Sequence, residues 1–386
     1  MKKVKLSSIC NIASGGTPAR SNSAYWKNGT IPWVKIGDIT DKLLSQTSEH
    51  ITQEGLNSSS AKLFPKGTIL YTIFATLGEV AILNIAATTN QAIAGICLND
   101  SRFTIQYLYY YLTSLKDYVN NIGRGVAQNN INLSILKNFE IPLRTLPEQE
   151  HIVESLTRVE QVIALRRAQL AKLDELVKCR FVELFGDPVL NEKAWPCENF
   201  SKYIEFITSG SRGWAKYYSD KGSYFITIKN VKKCNITTEN VQYVNPPNNA
   251  EATRTKVEEG DLLISITADL GRTGVVTKEI AQYGAYINQH LTCVRIRKGC
   301  LHPVYVAHFL ETDAGKMQFL SKNQNAVKAG LNFDAIKSIQ LLIPPISEQK
   351  HFVSFLARID KLRFEIQASL DKTQQLFDSL MQEYFG

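Results

Sequence analysis

Asn245-Pro246-Pro247-Asn248 has the outline of the motif with which amino-methyltransferases hold a flipped base, but those enzymes place an aromatic ring after the two prolines to stack on that base. Here that position is Asn248, and no glycine-rich loop follows a first strand to hold S-adenosylmethionine, so the four residues read as a turn. Gly315-Lys316 is followed by Met317, not by the Ser or Thr that completes a phosphate-binding loop. No HExxH pattern occurs, and His302 with His308 suits a satisfied pair on one helix better than a metal site. Cysteines 10, 97, 179, 197, 234, 293 and 300 form no close CxxC pair, so neither a disulfide framework nor a structural zinc is indicated. The sequence therefore offers no catalytic set, no metal ligands and no cofactor site of its own.

Two polar loops carry a different chemistry. Gly123-Arg124-Gly125-Val126-Ala127-Gln128-Asn129-Asn130 and Asn323-Gln324-Asn325-Ala326-Val327-Lys328-Ala329-Gly330 each run into an asparagine, Asn132 and Asn332, placed to cap a short helix. Arg, Gln and Asn are the side chains that bond base edges, and Gly lets a backbone come close; a purely structural Gly-Asn turn is the alternative. Arg124, Gln128 and Lys328 in these loops, with Arg20, Lys35, Arg212, Lys229 and Arg272 from other loops and strand ends, are the candidate contacts to DNA. Each taken singly reads equally well as a solvated charge. A net charge of +8 and a pI near 9.0 favour a polyanionic partner. Asn90-Gln91 and Asn288-Gln289, set within apolar runs, read as buried hydrogen-bonded residues.

The elements that must position these side chains occur twice. The β-rich runs 31–39 and 67–73, bounded by Gly and Pro, have counterparts at 224–231 and 260–266 in the same order, and Gly78 pairs with Gly271. Helical patches follow at 105–118 and 303–320. The most apolar stretch, 69–96, is broken by Gly78, Glu79, Asn84 and Asn90-Gln91, which reads as two buried strands and a turn, not a membrane span. Lys5, Ser7, Ser8 and Asn11 interrupt any signal-peptide core after Met1-Lys2-Lys3, so a soluble cytoplasmic protein is expected.

Pro147-Glu148-Gln149-Glu150-His151 then opens a long amphipathic segment ending in Phe185-Gly186, and Ser347-Glu348-Gln349-Lys350-His351 opens another ending in Phe385-Gly386. Leu156, Ile163, Leu170, Val177 and Leu184 fall seven apart, and the second copy supplies Leu356, Leu370, Phe377 and Tyr384 with Phe352, Ile359, Ile366 and Leu380 interleaved, Arg166, Arg180, Arg363 and Thr373 being the breaks. Two independent helices, each capping its own domain, are the alternative; a helix of roughly 39 residues spans about 58 Å, more than one small domain covers, so each helix is expected to bury its stripe against the other. Leu156, Ile163, Leu170, Val177, Leu356, Ile359, Leu370 and Phe377 are the expected interface. The matching His151 and His351 read as packing at the helix start, or as partner contacts.

With these residues in place the chain resembles the specificity (S) subunits of type I restriction-modification systems. The carrying motifs are Ser14-Gly15-Gly16-Thr17-Pro18, Ile31-Pro32-Trp33-Val34-Lys35-Ile36-Gly37-Asp38-Ile39, Thr89-Asn90-Gln91-Ala92-Ile93, Ile141-Pro142 leading to Glu148-Gln149, and Phe181-Val182-Glu183-Leu184-Phe185-Gly186-Asp187-Pro188. The resemblance implies an α+β chain with a pseudo-twofold internal repeat: a β-rich target-recognition domain (1–146), a helical spacer (147–190), a second recognition domain (191–346) and a second spacer (347–386), the spacers forming an antiparallel coiled-coil pair. It also implies a non-catalytic reader of a bipartite site in double-stranded DNA that docks two methyltransferase subunits and, in the restriction complex, motor-nuclease subunits. S-adenosylmethionine, ATP and Mg²⁺ would then belong to those partners. The second domain departs from the first motif, with Thr208-Ser209-Gly210-Ser211-Arg212-Gly213-Trp214 and no Ile-Pro-Trp, which implies a different half-site. A self-contained DNA-modifying enzyme and a coiled-coil scaffold without nucleic acid are the rival readings.

Overall fold

A computed structural model describes residues 2–123, 130–322 and 330–386, which fall into two compact units, Met1–Ala168 with Gln367–Gly386, and Gln169–Ile366. In the first unit a five-stranded sheet has the order Cys10–Ser14, Ile93–Leu98, Ile69–Thr72, Val80–Leu83, Leu43–Leu44. A three-stranded sheet places Ile31–Val34 between Glu49–Ile51 and Thr88–Thr89. In the second unit a four-stranded sheet runs Ile204–Ser209, Leu291–Ile296, Leu262–Ser265, Thr273–Val275, beside another that runs Tyr218–Ser219, Gln242–Val244, Ser223–Ile226, Ala285–Ile287.

The central strands are buried along their whole length, and the two-residue period of a strand shares their side chains between two cores. Ile69 and Tyr71 enter a core built with the helices, whereas Leu70 enters the one with Val34 and Ile93. Leu262 and Ile264 against Leu263 repeat the division. Residues 69–96 thus form four strands, not the expected two, because Thr88–Thr89 leaves for the smaller sheet. Val231 opens a separate short strand, and the other strands in runs 31–39 and 224–231 end at Val34 and Ile226. There the Asp38 carboxylate accepts from Lys35 N–H and the Asn230 amide oxygen from Thr227 N–H, each at 3.0 Å, turning the chain into a short 3₁₀ helix. Each helical patch is two helices, Ile105–Ser114 with Lys116–Gly123 and Pro303–Glu311 with Asp313–Ser321; in the second, extended Thr312 breaks the run and caps the next helix at Gly315 N–H.

The long helices are Leu146–Phe185 and Ile346–Phe385. In the first unit Ile152 and Leu156, near the start of one, share a core with Met381, Phe377 and Leu380, near the end of the other. In the second unit Val177, Phe181 and Phe185 pack with Phe352, Leu356 and Ile359. The helices are therefore antiparallel. Among the expected interface residues Leu156, Ile163, Val177, Leu356 and Ile359 are buried, while Leu170, Leu370 and Phe377 are half-buried. Arg363, a break in the stripe, is held by Asp174 at 2.8 Å.

Two buried glutamines fix where these helices begin. Gln149 Oε1 accepts from Thr104 N–H at 2.9 Å, and its Nε2 donates to the Arg102 and Arg144 carbonyls at 2.7 and 3.0 Å. Gln349 accepts from His302 N–H at 2.7 Å and donates to the Pro344 carbonyl at 2.8 Å. Thr104 and His302 cap the helices Ile105–Ser114 and Pro303–Glu311, so one side chain ties two helix starts together in each unit. His151 and His351 are exposed and do not pack there. No helix among the described residues is long and apolar enough to cross a membrane.

Candidate nucleic-acid interface

In each unit a Ser-Gly pair, Ser14-Gly15 and Ser209-Gly210, crosses the Asn-Gln turn at backbone contact. Gly15 and Gly16 N–H donate to the Ile93 and Thr89 carbonyls at 3.1 and 2.9 Å, and Gly210 and Ser211 N–H to those of Leu291 and Ile287 at 3.0 and 2.8 Å. A Cβ at Gly15 would lie 2.2 Å from the Thr89 carbonyl oxygen and one at Gly210 2.1 Å from that of Asn288, so only glycine fits. In each turn the asparagine is structural: Asn90 Oδ1 accepts from Ala92 N–H at 3.1 Å and Asn288 Oδ1 from His290 N–H at 3.2 Å. The glutamine beside it faces outward, Gln91 exposed and Gln289 partly so, against the expectation that both are buried. The Thr17 hydroxyl donates to Gln91 Oε1, and Arg212 Nε donates to Gln289 Oε1 at 2.5 Å.

A hairpin tip lies alongside. Ile73 N–H donates to the Ala92 carbonyl at 2.9 Å, and Ile266 N–H to the His290 carbonyl at 3.0 Å. The tip residues that follow, Ala75 and Ala268, have φ of +61° and +57°. A left-handed alanine at the same place in both copies is a strained conformation of the kind that accumulates at functional sites. Phe74 and Thr267 bridge to Asn130 and Gly330, the last residues of the polar loops.

Arg20 and Lys35 meet at Glu49, Lys35 Nζ lying 3.0 Å from its carboxylate. The Arg20 hydrogen bond, seconded by Lys35, holds that carboxyl below the usual range. Arg20 also lies over the Trp26 ring, 3.7 Å from its centroid, beside the edge-on pair of Trp26 and Trp33. Arg272 is ion-paired to Asp269 on the hairpin tip, and Lys229 is exposed in the turn Ile228–Asn230. Arg124, Gln128 and Lys328 lie outside the described residues. The structure thus groups Arg20 with Lys35, and Arg212 with the Asn-Gln turn. Gln91, Gln289, His290 and the hairpin tips were missed by sequence reasoning, although the duplicated Asn-Gln pair and the two Ala-x-Leu-Gly segments were visible.

Asn245-Pro246-Pro247-Asn248 is an irregular segment ahead of the helix Ala250–Thr255, with its asparagines exposed and its prolines half-buried. Among the described residues no cluster of three His, Cys, Asp or Glu is placed to hold a metal. Asn132 and Asn332 cap their short helices as expected, at 2.9 and 2.8 Å.

The profile of the family described as "Type I restriction modification DNA specificity domain" matches residues 1–175 and 216–376. The EcoprrI specificity subunit of Escherichia coli is 24% identical over 92% of this chain and 87% of its own. The MjaIX specificity subunit of Methanocaldococcus jannaschii is 28% identical over 64% of this chain and 60% of its own. The fold matches a chain from a structure of type I R-M system assembly at a TM-score of 0.63 and 19% identity, covering 100% of this chain and 97% of that one. It matches the type I S subunit from M. genitalium at 0.55 and 15%, covering 100% and 96%. Two specificity-domain matches on two like-built units make this chain a member of the type I restriction-modification specificity subunit family.

Proposed function

We propose that the chain is the non-catalytic DNA reader of a type I restriction-modification complex, each recognition domain taking one half of a bipartite site in double-stranded DNA. The observation that carries this reading is the face described above: the same turn, hairpin tip and loop end occur in both units, on one backbone plan, with different side chains. Arg20, Lys35, Lys229 and Arg272 suit phosphate contacts that set register, and Arg212 with the outward glutamines suits base edges; Arg124, Gln128 and Lys328 are further contact candidates by residue type alone. The long helices present exposed apolar residues at matched positions, Val162 with Leu362 and Leu176 with Leu376, which gives two equivalent partner subunits something to bury. Those partners are methyltransferase subunits, joined by motor-nuclease subunits in the restriction complex; they bring S-adenosylmethionine, ATP and Mg²⁺.

Domain exchange tests this. With residues 197–340 replaced by the corresponding segment of another family member, the reconstituted complex should methylate a site changed in one half and unchanged in the other. A site altered in both halves, or in neither, refutes it.

A further inference from the structure

We propose that four matched positions decide which bases each unit accepts: Thr17, Phe74, Gln91 and Ala92 in the first, and Arg212, Thr267, Gln289 and His290 in the second. The inference rests on the DNA-reading function above and gives it residues.

The positions correspond through backbone geometry as well as sequence order. Ile73 and Ile266 donate to the carbonyls of Ala92 and His290, and the next residues, Phe74 and Thr267, make the bridge to the end of the polar loop. Only the glutamine is common to both sets, and both units occupy its amide oxygen from the same side, by the Thr17 hydroxyl or by Arg212. With the oxygen engaged, the amide N–H groups of the glutamine remain to donate.

In the second unit the hydrogen bonds fix a direction. Arg212 can only donate, so Gln289 Oε1 accepts; Gln289 Nε2, 3.3 Å from His290 Nε2, then donates to that ring nitrogen. The ring proton is thereby on Nδ1, 2.8 Å from Thr267 Oγ1, which accepts it and keeps its own hydrogen to donate. Arg212 is exposed and spends only Nε on Gln289, leaving its terminal amino groups as the fork that fits guanine O6 and N7. The first unit offers other chemistry at the same places. Phe74 is 39% exposed, and with Ala92 it gives apolar surface of the kind that packs a thymine methyl, beside the amide donors of Gln91. The left-handed alanines that follow Phe74 and Thr267 hold both tips in one shape, so the difference between units lies in the side chains and not in the path of the chain.

The test uses the full complex with its methyltransferase subunits and maps the methylated adenines on a library of sites. Arg212→Lys keeps the charge and removes the fork; it should relax preference for guanine at one position of one half-site by roughly ten-fold or more, leaving the other half unchanged. Phe74→Ala should relax preference for thymine in the opposite half. The double variant Thr267→Phe with His290→Ala, which installs first-unit residues in the second, should change the bases accepted by the second unit alone. Parental preferences retained by Arg212→Lys and Phe74→Ala overturn the assignment, whether or not the double variant folds. If domain exchange still alters one half-site in that case, the reading of function survives and only these residues are wrong; if it alters none, the function itself is wrong.

Discussion

One step beyond the matched strand pairs Ile69–Ile96 and Leu262–Val294, the two units fill the same interior place differently. The first has Thr68, whose hydroxyl donates to the Pro65 carbonyl at 2.7 Å and lies 3.4 Å from Cys97 Sγ. The second has fully buried Asp261, gripped by Arg295 through two bonds of 2.8 Å. By contrast the glutamine pins, the backbone crossing at Gly15 and Gly210, and the left-handed alanines are the same in both. What is repeated is the set of bonds that hold the backbone's path. A neutral pair and an ion pair are interchangeable inside it because a buried ion pair adds little net stability, its desolvation offsetting its attraction.

The largest expected effect comes from breaking that ion pair on one side. Arg295→Ala leaves a fully buried carboxylate and should destabilise the second unit by about 3–5 kcal/mol, measured by denaturant unfolding. Asp261→Ala should cost less, since Arg295 is partly exposed and keeps Glu258 at 2.8 Å. The double change Asp261→Thr with Arg295→Cys, which copies the first unit, should fall closer to the parent than either single one. A double variant as unstable as Arg295→Ala would show that the two solutions are not exchangeable.

Acid should separate the units next. His308 is half-buried beside Phe352, and desolvation pushes its imidazole down from 6.5 to about 4; the matched place in the first unit is Tyr110, bonded to Glu160 at 2.6 Å. Between pH 6.5 and 4 the unfolded histidine takes a proton that the folded one refuses, so stability falls as pH drops, by up to about 3 kcal/mol for this group. His308→Leu should flatten that slope in a pH series of melting curves, and an unchanged slope would remove the histidine as its cause.

The smallest effect probes what the units share. Gln149→Ala and Gln349→Ala each strand buried backbone groups and should cost about 2 kcal/mol, with Gln149, which makes three bonds to Gln349's two, slightly the worse. A large loss in one unit and none in the other would mean that the pins are not equivalent.

Much of this frame was legible in the sequence. The seven-residue spacing from Leu156 to Leu184 and the duplicated motifs are local patterns, and local patterns survive without knowledge of pairing. The candidate face was not, because it depends on register. Gln91 sits among apolar residues and reads as buried until the turn is placed, which sends Asn90 into the backbone and the glutamine outward. Lys35 and Arg20 meet only because Trp33 pairs with Glu49 across two antiparallel strands. The glutamine pins were visible as a motif, but their role depended on which helix starts came to lie beside them.

The division of the long helices between the units bears on how the protein is made. Phe385 packs its ring against Tyr107 and Tyr111, and residues 367–386 belong to the unit that begins at the N-terminus. The second unit, residues 169–366, is continuous in sequence and is made in full before residues 367–386. The unit synthesised first must therefore wait for residues 367–386 before its core is complete, and until then it is the one that needs shelter from aggregation.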